Sequence, residues 1–262
     1  MIKFTIDGRV VEAEKGMTVL AVARAHKIRI PALCYHPALK SAGSCRLCAV
    51  EVIGETGQGK TMLSCIIRAK EGLVVRTTGE LVEKARTLAF QRLLQMAPQS
   101  VRLRALADEY GISPGSSEVR PEPLPDGCIR CRLCIRVCKE VVGVEALKIE
   151  KRDGTPFVVP VANRCIGCGT CANLCPTDAI RLEDNAGIRT LMIRDEVIGQ
   201  HPLERCERCG QHYATPEFLH YVEERTARLP HVRAQHHYCP TCARQQMSDR
   251  SPVPPGILSK LN

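Results

Sequence analysis

The sequence predicts an α+β protein built from several small modules, each held together by thiolates on metal. Two observations carry this. The 262 residues include 16 cysteines, which fall into four groups of four with none left over. There are only 5 Tyr and 4 Phe and no Trp, so large side chains cannot supply the cores of several small modules. Metal crosslinks take over part of that work.

The elements follow in chain order. MIKFTIDGRVVEAE alternates apolar and polar residues, which predicts a β-hairpin of IKFTI and VVEAE around DGR. TVLAVARAHK reads as an amphipathic helix, and CAVEVIG and MLSCII as further strands. The N-terminus lacks the apolar run of a secretory signal, and no stretch of 18 apolar residues occurs. The expectation is therefore a cytoplasmic protein without a transmembrane segment, where paired cysteines serve as metal ligands and not as disulfides.

Cys34, Cys45, Cys48 and Cys65 form the first group, spaced C-x10-C-x2-C-x16-C. Plant-type [2Fe-2S] proteins use C-x4-C-x2-C and a distant fourth cysteine, so the first gap here is longer. Hairpin, helix and cysteine loop together resemble the β-grasp ferredoxin plan and delimit a domain at 1–79. Within it, GETGQGKT (54–61) satisfies the phosphate-loop pattern letter for letter. A phosphate loop must run into a helix whose N-terminal N–H groups face the phosphate, whereas MLSCII reads as a returning strand. The octapeptide is therefore expected to be a hairpin turn between two cysteine ligands.

The stretch 80–118 is expected to be a helical linker. One helix with an apolar face through Leu81, Ala85, Leu88 and Leu93 stops at Pro98, and a second ends near Gly111. The next two groups, in CIRCRLCIRVCK and CIGCGTCANLCP, repeat C-x2-C-x2-C-x3-C at an offset of 37 residues. In the bacterial two-cluster ferredoxin run, three cysteines wrap one cubane and the fourth reaches the other. That logic assigns Cys128, Cys131, Cys134 and Cys175 to a first [4Fe-4S] cluster, and Cys165, Cys168, Cys171 and Cys138 to a second, in a domain at 119–188. Lys139 stands where a proline usually follows the fourth cysteine, while Pro176 keeps it.

IPALCYHPALKSAGSCRLCAVEVIG, MLSCIIRAKEGLVVRT and CIRCRLCIRVCKEVVGVEAL resemble the N-terminal iron–sulfur region of the large electron-transfer subunit of respiratory complex I. Similar regions occur in diaphorase subunits of NAD-linked hydrogenases and in related formate dehydrogenases and electron-bifurcating complexes. The resemblance covers roughly residues 1 to 185. It implies one [2Fe-2S] cluster on Cys34, Cys45, Cys48 and Cys65 beside the two cubanes. Many members also hold a cluster on one His and three Cys between these modules, but ARTLAFQRLLQMAPQSVRLRALADEYGI contains neither residue.

The last group, Cys206, Cys209, Cys239 and Cys242, pairs two C-x2-C knuckles across 29 residues in a module expected at 189–247. Such knuckles suit a zinc-ribbon-like site with tetrahedral Zn, with a further [4Fe-4S] cluster or a single iron as alternatives. FLHYVEERTARL is expected to fill the gap as a helix, and His212, His236 and His237 to be exposed. SPVPPG opens an extended tail within 248–262.

The net charge of +9 first suggests nucleic acid. Each four-thiolate site carries about −2, however, so four sites nearly cancel it. No dinucleotide fingerprint follows a strand, and too little chain remains for a catalytic domain. The reading is an electron-transfer subunit of a soluble multisubunit oxidoreductase, relaying single electrons between an NAD(P)H-linked flavoprotein subunit and a larger catalytic subunit, such as a hydrogenase or formate dehydrogenase. Ferredoxin is a further candidate partner. The alternatives are a freestanding polyferredoxin and a zinc-dependent nucleic-acid-binding protein.

Overall fold

The computed structural model describes residues 1–112, 126–227 and 237–250, the last four by backbone alone. His236, the end of the expected linker and the tail from 251 lie outside the described residues. The fold is mixed α/β.

The N-terminal module begins with strands β1 (Ile2–Ile6) and β2 (Arg9–Ala13), antiparallel across an Asp7–Gly8 turn with φ of 50° and 76°. Helix α1 (Val19–Ala25) starts where Thr18 accepts a hydrogen bond from the Ala21 N–H. It is followed by β3 (Ala49–Ile53), β4 (Gly59–Leu63) and β5 (Val74–Arg76), in a sheet ordered β2-β1-β5-β3-β4. The alternation read in β1 places Phe4 and Ile6 inside, against Leu20 and Val22 of α1 and Val50 and Val75 of the sheet. Cys48 and Cys65 belong to this same core.

The phosphate-loop lookalike is a hairpin turn. Gly54 N–H donates to the Gln58 carbonyl at 2.9 Å, and β3 pairs antiparallel with β4. The returning strand lies earlier than MLSCII: Lys60 and Thr61 are strand residues, and Ser64 to Ile66 turn away from the sheet and carry Cys65 inward. The turn is favoured because Ser64 Oγ and N–H both bond the Cys48 carbonyl, at 2.8 and 3.0 Å.

Helices α2 (Glu80–Met96) and α3 (Val101–Asp108) flank Pro98 as expected. The buried face of α2 differs from the expected one. Val82, Arg86, Ala89, Phe90, Leu93 and Leu94 are inside, while Leu81 and Leu88 are 46% and 60% exposed. α2 carries two apolar stripes, and periodicity alone does not say which one meets a neighbour. The stripe centred on Phe90 wins, because Leu33, Leu39, Leu47 and Leu133 surround it and Tyr110 lies 5.9 Å away, ring to ring. Arg86 is buried too, donating to the Ala49 and Thr77 carbonyls at 3.2 Å each and facing the Tyr110 ring. Burial lowers its pKa; those two bonds come from one Nη, and Nε is buried without a hydrogen-bond partner among the described residues.

In the second module α4 (Leu133–Arg136) passes into a π-helical turn over Val137–Val142, followed by the hairpin of β6 (Leu147–Arg152) and β7 (Thr155–Pro160). After α5 (Thr170–Asn173), strands β8 (Ile180–Asn185), β9 (Ile188–Ile193) and β10 (Glu196–Pro202) form an antiparallel sheet ordered β10-β9-β8. The boundary expected at 188/189 falls inside this sheet. Leu191, Ile193 and Ile198 pack with Cys128, Cys134 and Cys171, so β9 and β10 complete the core of the cysteine runs. The aromatic-poor runs cannot close that core alone.

Helices α6 (Pro216–Thr226) and α7 (Pro240–Arg250) follow. Thr215 caps α6 by accepting from the Phe218 N–H and donates its own hydroxyl proton to the Ile166 carbonyl at 2.6 Å. Tyr221 Oη donates to the Val141 carbonyl. The C-terminal segment is thereby tied to both cysteine runs.

Candidate metal centres

Cys34, Cys45, Cys48 and Cys65 are each at most 2% exposed. Cys34 and Cys45 share a side-chain hydrogen bond, which holds Cys34 down at about 6 against burial and pushes Cys45 up. Cys48 and Cys65 repeat the arrangement, with Cys48 lowered to about 7 and Cys65 raised. Four buried thiols that favour two thiolates are a donor set suited to displacing the remaining protons with metal. Arg46, between Cys45 and Cys48, is left-handed (φ 59°), which curls the backbone around the site.

The two cysteine runs open onto two cavities. Cys128, Cys131 and Cys134 line one together with Cys175, and Cys165, Cys168 and Cys171 line the other together with Cys138. The fourth cysteine of each run thus sits at the other run's cavity. The loops share a backbone device: Arg130 and Arg132 (φ 51° and 61°) occupy the same repeat positions as Gly167 and Gly169 (φ 68° and 74°). Glycine adopts this conformation freely, whereas each arginine costs about 1–2 kcal/mol. Arg130 is held in place by Asp126 at 2.6 Å. The device is readable as glycines in the second copy, but the arginines conceal it in the first.

Burial pushes Cys131 and Cys171 up to about 12, Cys134 well above its ordinary value, and Cys128, Cys138 and Cys165 upward. Buried thiols of this kind ionise only with a compensating positive core, which an iron–sulfide cube supplies. A second observation fits such a group. His201 Nε2 is buried without a partner among the described residues, and a Cβ added at Gly199 would lie 2.8 Å from it and 2.6 Å from Cys165 Sγ. Gly199 is therefore what lets β10 close over this cysteine, and the site retains a polar atom able to serve a sulfur cluster.

The sequence places Arg136 in the basic cluster of the first cubane run but does not reveal that it bridges to the first quartet. Its guanidinium donates to the carbonyls of Cys34 (2.7 Å), Cys131 (3.4 Å) and Lys40, bridging the first quartet and the first run. Cys34, Cys45 and Cys131 also share one apolar core with Phe90 and Leu47. The cluster of Arg130, Arg132, Arg136 and Lys139 is visible in the sequence, but nothing in it singles out the one arginine that bridges.

Cys206, Cys209, Cys239 and Cys242 place all their sulfurs within 4.8 Å of one another, with Cys209 and Cys239 3.8 Å apart. Burial raises Cys206, but the N–H groups of Cys239, Cys209 and Arg208 outweigh it and bring it to about 6; burial and the three other thiols push Cys242 up to about 12. Of the nearby histidines, His237 is 70% exposed against Glu207, and His212 faces Arg205.

These features define an iron–sulfur protein with ferredoxin-type domains: the family model for a 2Fe-2S iron-sulfur cluster binding domain matches residues 1–80, and that for a 4Fe-4S dicluster domain matches residues 124–182. The chain's homologues include an NADH-quinone oxidoreductase subunit of Rhizobium meliloti, 34% identical over 209 residues, 69% of this chain and 24% of that protein. NADPH-Fe(3+) oxidoreductase subunit alpha of Geobacter sulfurreducens is 29% identical over 204 residues (69% and 24%). NADP-reducing hydrogenase subunit HndD of Solidesulfovibrio fructosivorans is 31% identical over 215 residues (69% and 36%). The chain spans about a quarter of the length of the first two. Among solved structures, an NAD+-reducing [NiFe]-hydrogenase in its H2-reduced state matches with a TM-score of 0.56 at 27% identity, over 68% of this chain and 85% of that one. Among the described residues no helix is long and apolar enough to cross a membrane.

Proposed function

We propose that this chain is an iron–sulfur electron-transfer subunit of a multisubunit oxidoreductase, relaying single electrons between an NAD(P)H-linked flavoprotein subunit and a separate catalytic subunit. The observation that carries this reading is the contiguous series of cysteine sites, with Arg136 and one shared core joining the first quartet to the first run, and the exchanged fourth cysteines joining the two runs. Bound clusters supply the one-electron carriers: one [2Fe-2S] on Cys34, Cys45, Cys48 and Cys65, and two [4Fe-4S] on the quartets of the two cavities. The protein holds the sites at fixed separations, excludes water by burial, and sets potentials through nearby charge and hydrogen bonds. The relatives named as NAD(P)-linked oxidoreductase subunits support the same reading. Purified anaerobically, the chain should be brown and hold about 10 Fe and about 10 labile sulfides. A colourless protein containing zinc alone would instead support nucleic-acid binding.

For the C-terminal quartet we infer a single tetrahedral ion, zinc, within a ribbon-like module. Four thiolates on one zinc at about 2.3 Å stand about 3.8 Å apart, while thiolates on the four corners of a cubane stand farther apart. The 3.8 Å pair and the 4.8 Å limit favour the single ion. In a chain with both Cys206→Ser and Cys209→Ser, metal analysis is expected to show the loss of one zinc with iron unchanged. Loss of about 4 Fe would replace this assignment with a third cubane.

A further inference from the structure

His201 lies on β10 with one ring nitrogen paired and the other not. Its side chain is 12% exposed, Nδ1 faces the Glu217 carboxylate of α6 at 3.5 Å, and Nε2 is buried without a hydrogen-bond partner among the described residues. The surroundings of Nε2 are the cysteine loop of the second run. A Cβ added at Gly199 would stand 2.8 Å from Nε2 and 2.6 Å from Cys165 Sγ, so both atoms border the space that this glycine leaves open. A Cβ added at Gly167, two residues after Cys165, would lie 3.1 Å from Cδ2 of the same ring. The loop is held there from both sides: Thr215, the cap of α6, donates to the Ile166 carbonyl at 2.6 Å, and Arg189 of β9 donates to the Gly167 carbonyl at 3.2 Å.

We propose that His201 donates its Nε2–H to the Cys165 sulfur when that sulfur is a cluster ligand, and thereby sets the reduction potential of the second cubane. The inference rests on the cluster assignment above and deepens it. The Glu217 carboxylate claims the proton on Nδ1, which leaves Nε2 as the nitrogen beside the sulfur. A bare lone pair at Nε2 would be a buried acceptor next to a thiolate, with nothing to satisfy either atom. An N–H satisfies both, and the two negative neighbours favour the ring that carries a proton on each nitrogen. A ring oriented by a carboxylate can instead ligate metal. Here Cys165, Cys168, Cys171 and Cys138 already line one cavity and supply the four donors of a cubane. A hydrogen bond to a ligand sulfur stabilises the reduced form, which carries the extra negative charge, and so raises the potential. Gly199 belongs to the same device, because a side chain there would occupy the space that Nε2 and Sγ share.

The test uses the full chain, loaded with its clusters under anaerobic conditions. EPR-monitored titration reads the midpoint potential of each cluster in wild type, His201→Leu and His201→Gln, the second cubane being identified by its loss in Cys165→Ala. His201→Leu should shift the reduction equilibrium of the second cubane toward the oxidised form by at least about tenfold, about 59 mV for a one-electron couple, and leave the other two clusters where they were. His201→Gln, which keeps an N–H, should recover part of that shift. An unchanged potential, or an equal shift in all three clusters, overturns the proposal. Should His201→Leu assemble no second cubane, the wild-type chain decides. With isotopically labelled histidine, its reduced second cubane should show a weak nitrogen coupling together with a proton that exchanges in heavy water. Absence of that coupling overturns the proposal and leaves the cluster assignment standing. A strong coupling without the exchangeable proton, the signature of direct ligation, also overturns it. A wild-type chain that takes up no iron overturns the cluster assignment and this inference with it.

Discussion

Replacing Cys138 by alanine is expected to remove the cubane whose other ligands are Cys165, Cys168 and Cys171, and to spare the one beside Cys128. Cys138 leaves α4 on a π-helical turn, accepts a hydrogen bond from the Ala146 N–H at 3.2 Å, and lines the cavity of the second run. Ligation within each run would instead need it at the Cys128 cavity, which Cys175 lines. The reduced-state EPR spectrum separates the cases. Under crosswise ligation, Cys138→Ala reproduces the spectrum of Cys165→Ala, with about 4 Fe lost from each. A spectrum matching Cys128→Ala would refute the crosswise assignment.

Phe90→Ala should destabilise the N-terminal half by about 3–5 kcal/mol, the range for deleting a fully buried ring. Phe90 is fully buried on α2 and packs in the core that also contains Cys34, Cys45 and Cys131. The cavity left behind would loosen both cluster loops together, so bleaching of cluster absorbance in denaturant should begin much earlier. Phe90→Leu should cost less, because part of the volume is kept. Leu88→Ala, two residues away on the exposed stripe, should lie within about 0.5 kcal/mol of wild type. Equal costs at positions 88 and 90 would contradict the packing described.

The difference between those two positions shows why local pattern stops short of tertiary structure. Leu81, Ala85 and Leu88 obey helical periodicity as well as Val82, Ala89 and Phe90 do. The choice between stripes depends on residues far away in sequence, Leu33, Leu47 and Leu133 among them. The strand around Cys65 illustrates the same limit. β-propensity favours MLSCII, but the hydrogen bonds of Ser64 to the Cys48 carbonyl end the strand at Leu63. A boundary at 188/189 follows from where the cysteines of the second run cease, whereas the core continues into β9 and β10.

Cysteine spacing by itself determined the four quartets, because thiolates that share a metal in a short loop must recur at the intervals the loop geometry permits. The same spacing recast the nucleotide-like octapeptide as a hairpin, since an interval between two cysteines of one quartet has to return. Arg136 across Cys34 and Cys131 and Gly199 against Cys165 were decided by the tertiary structure alone. Each joins segments distant in sequence, and whether such groups meet depends on packing that no local pattern encodes.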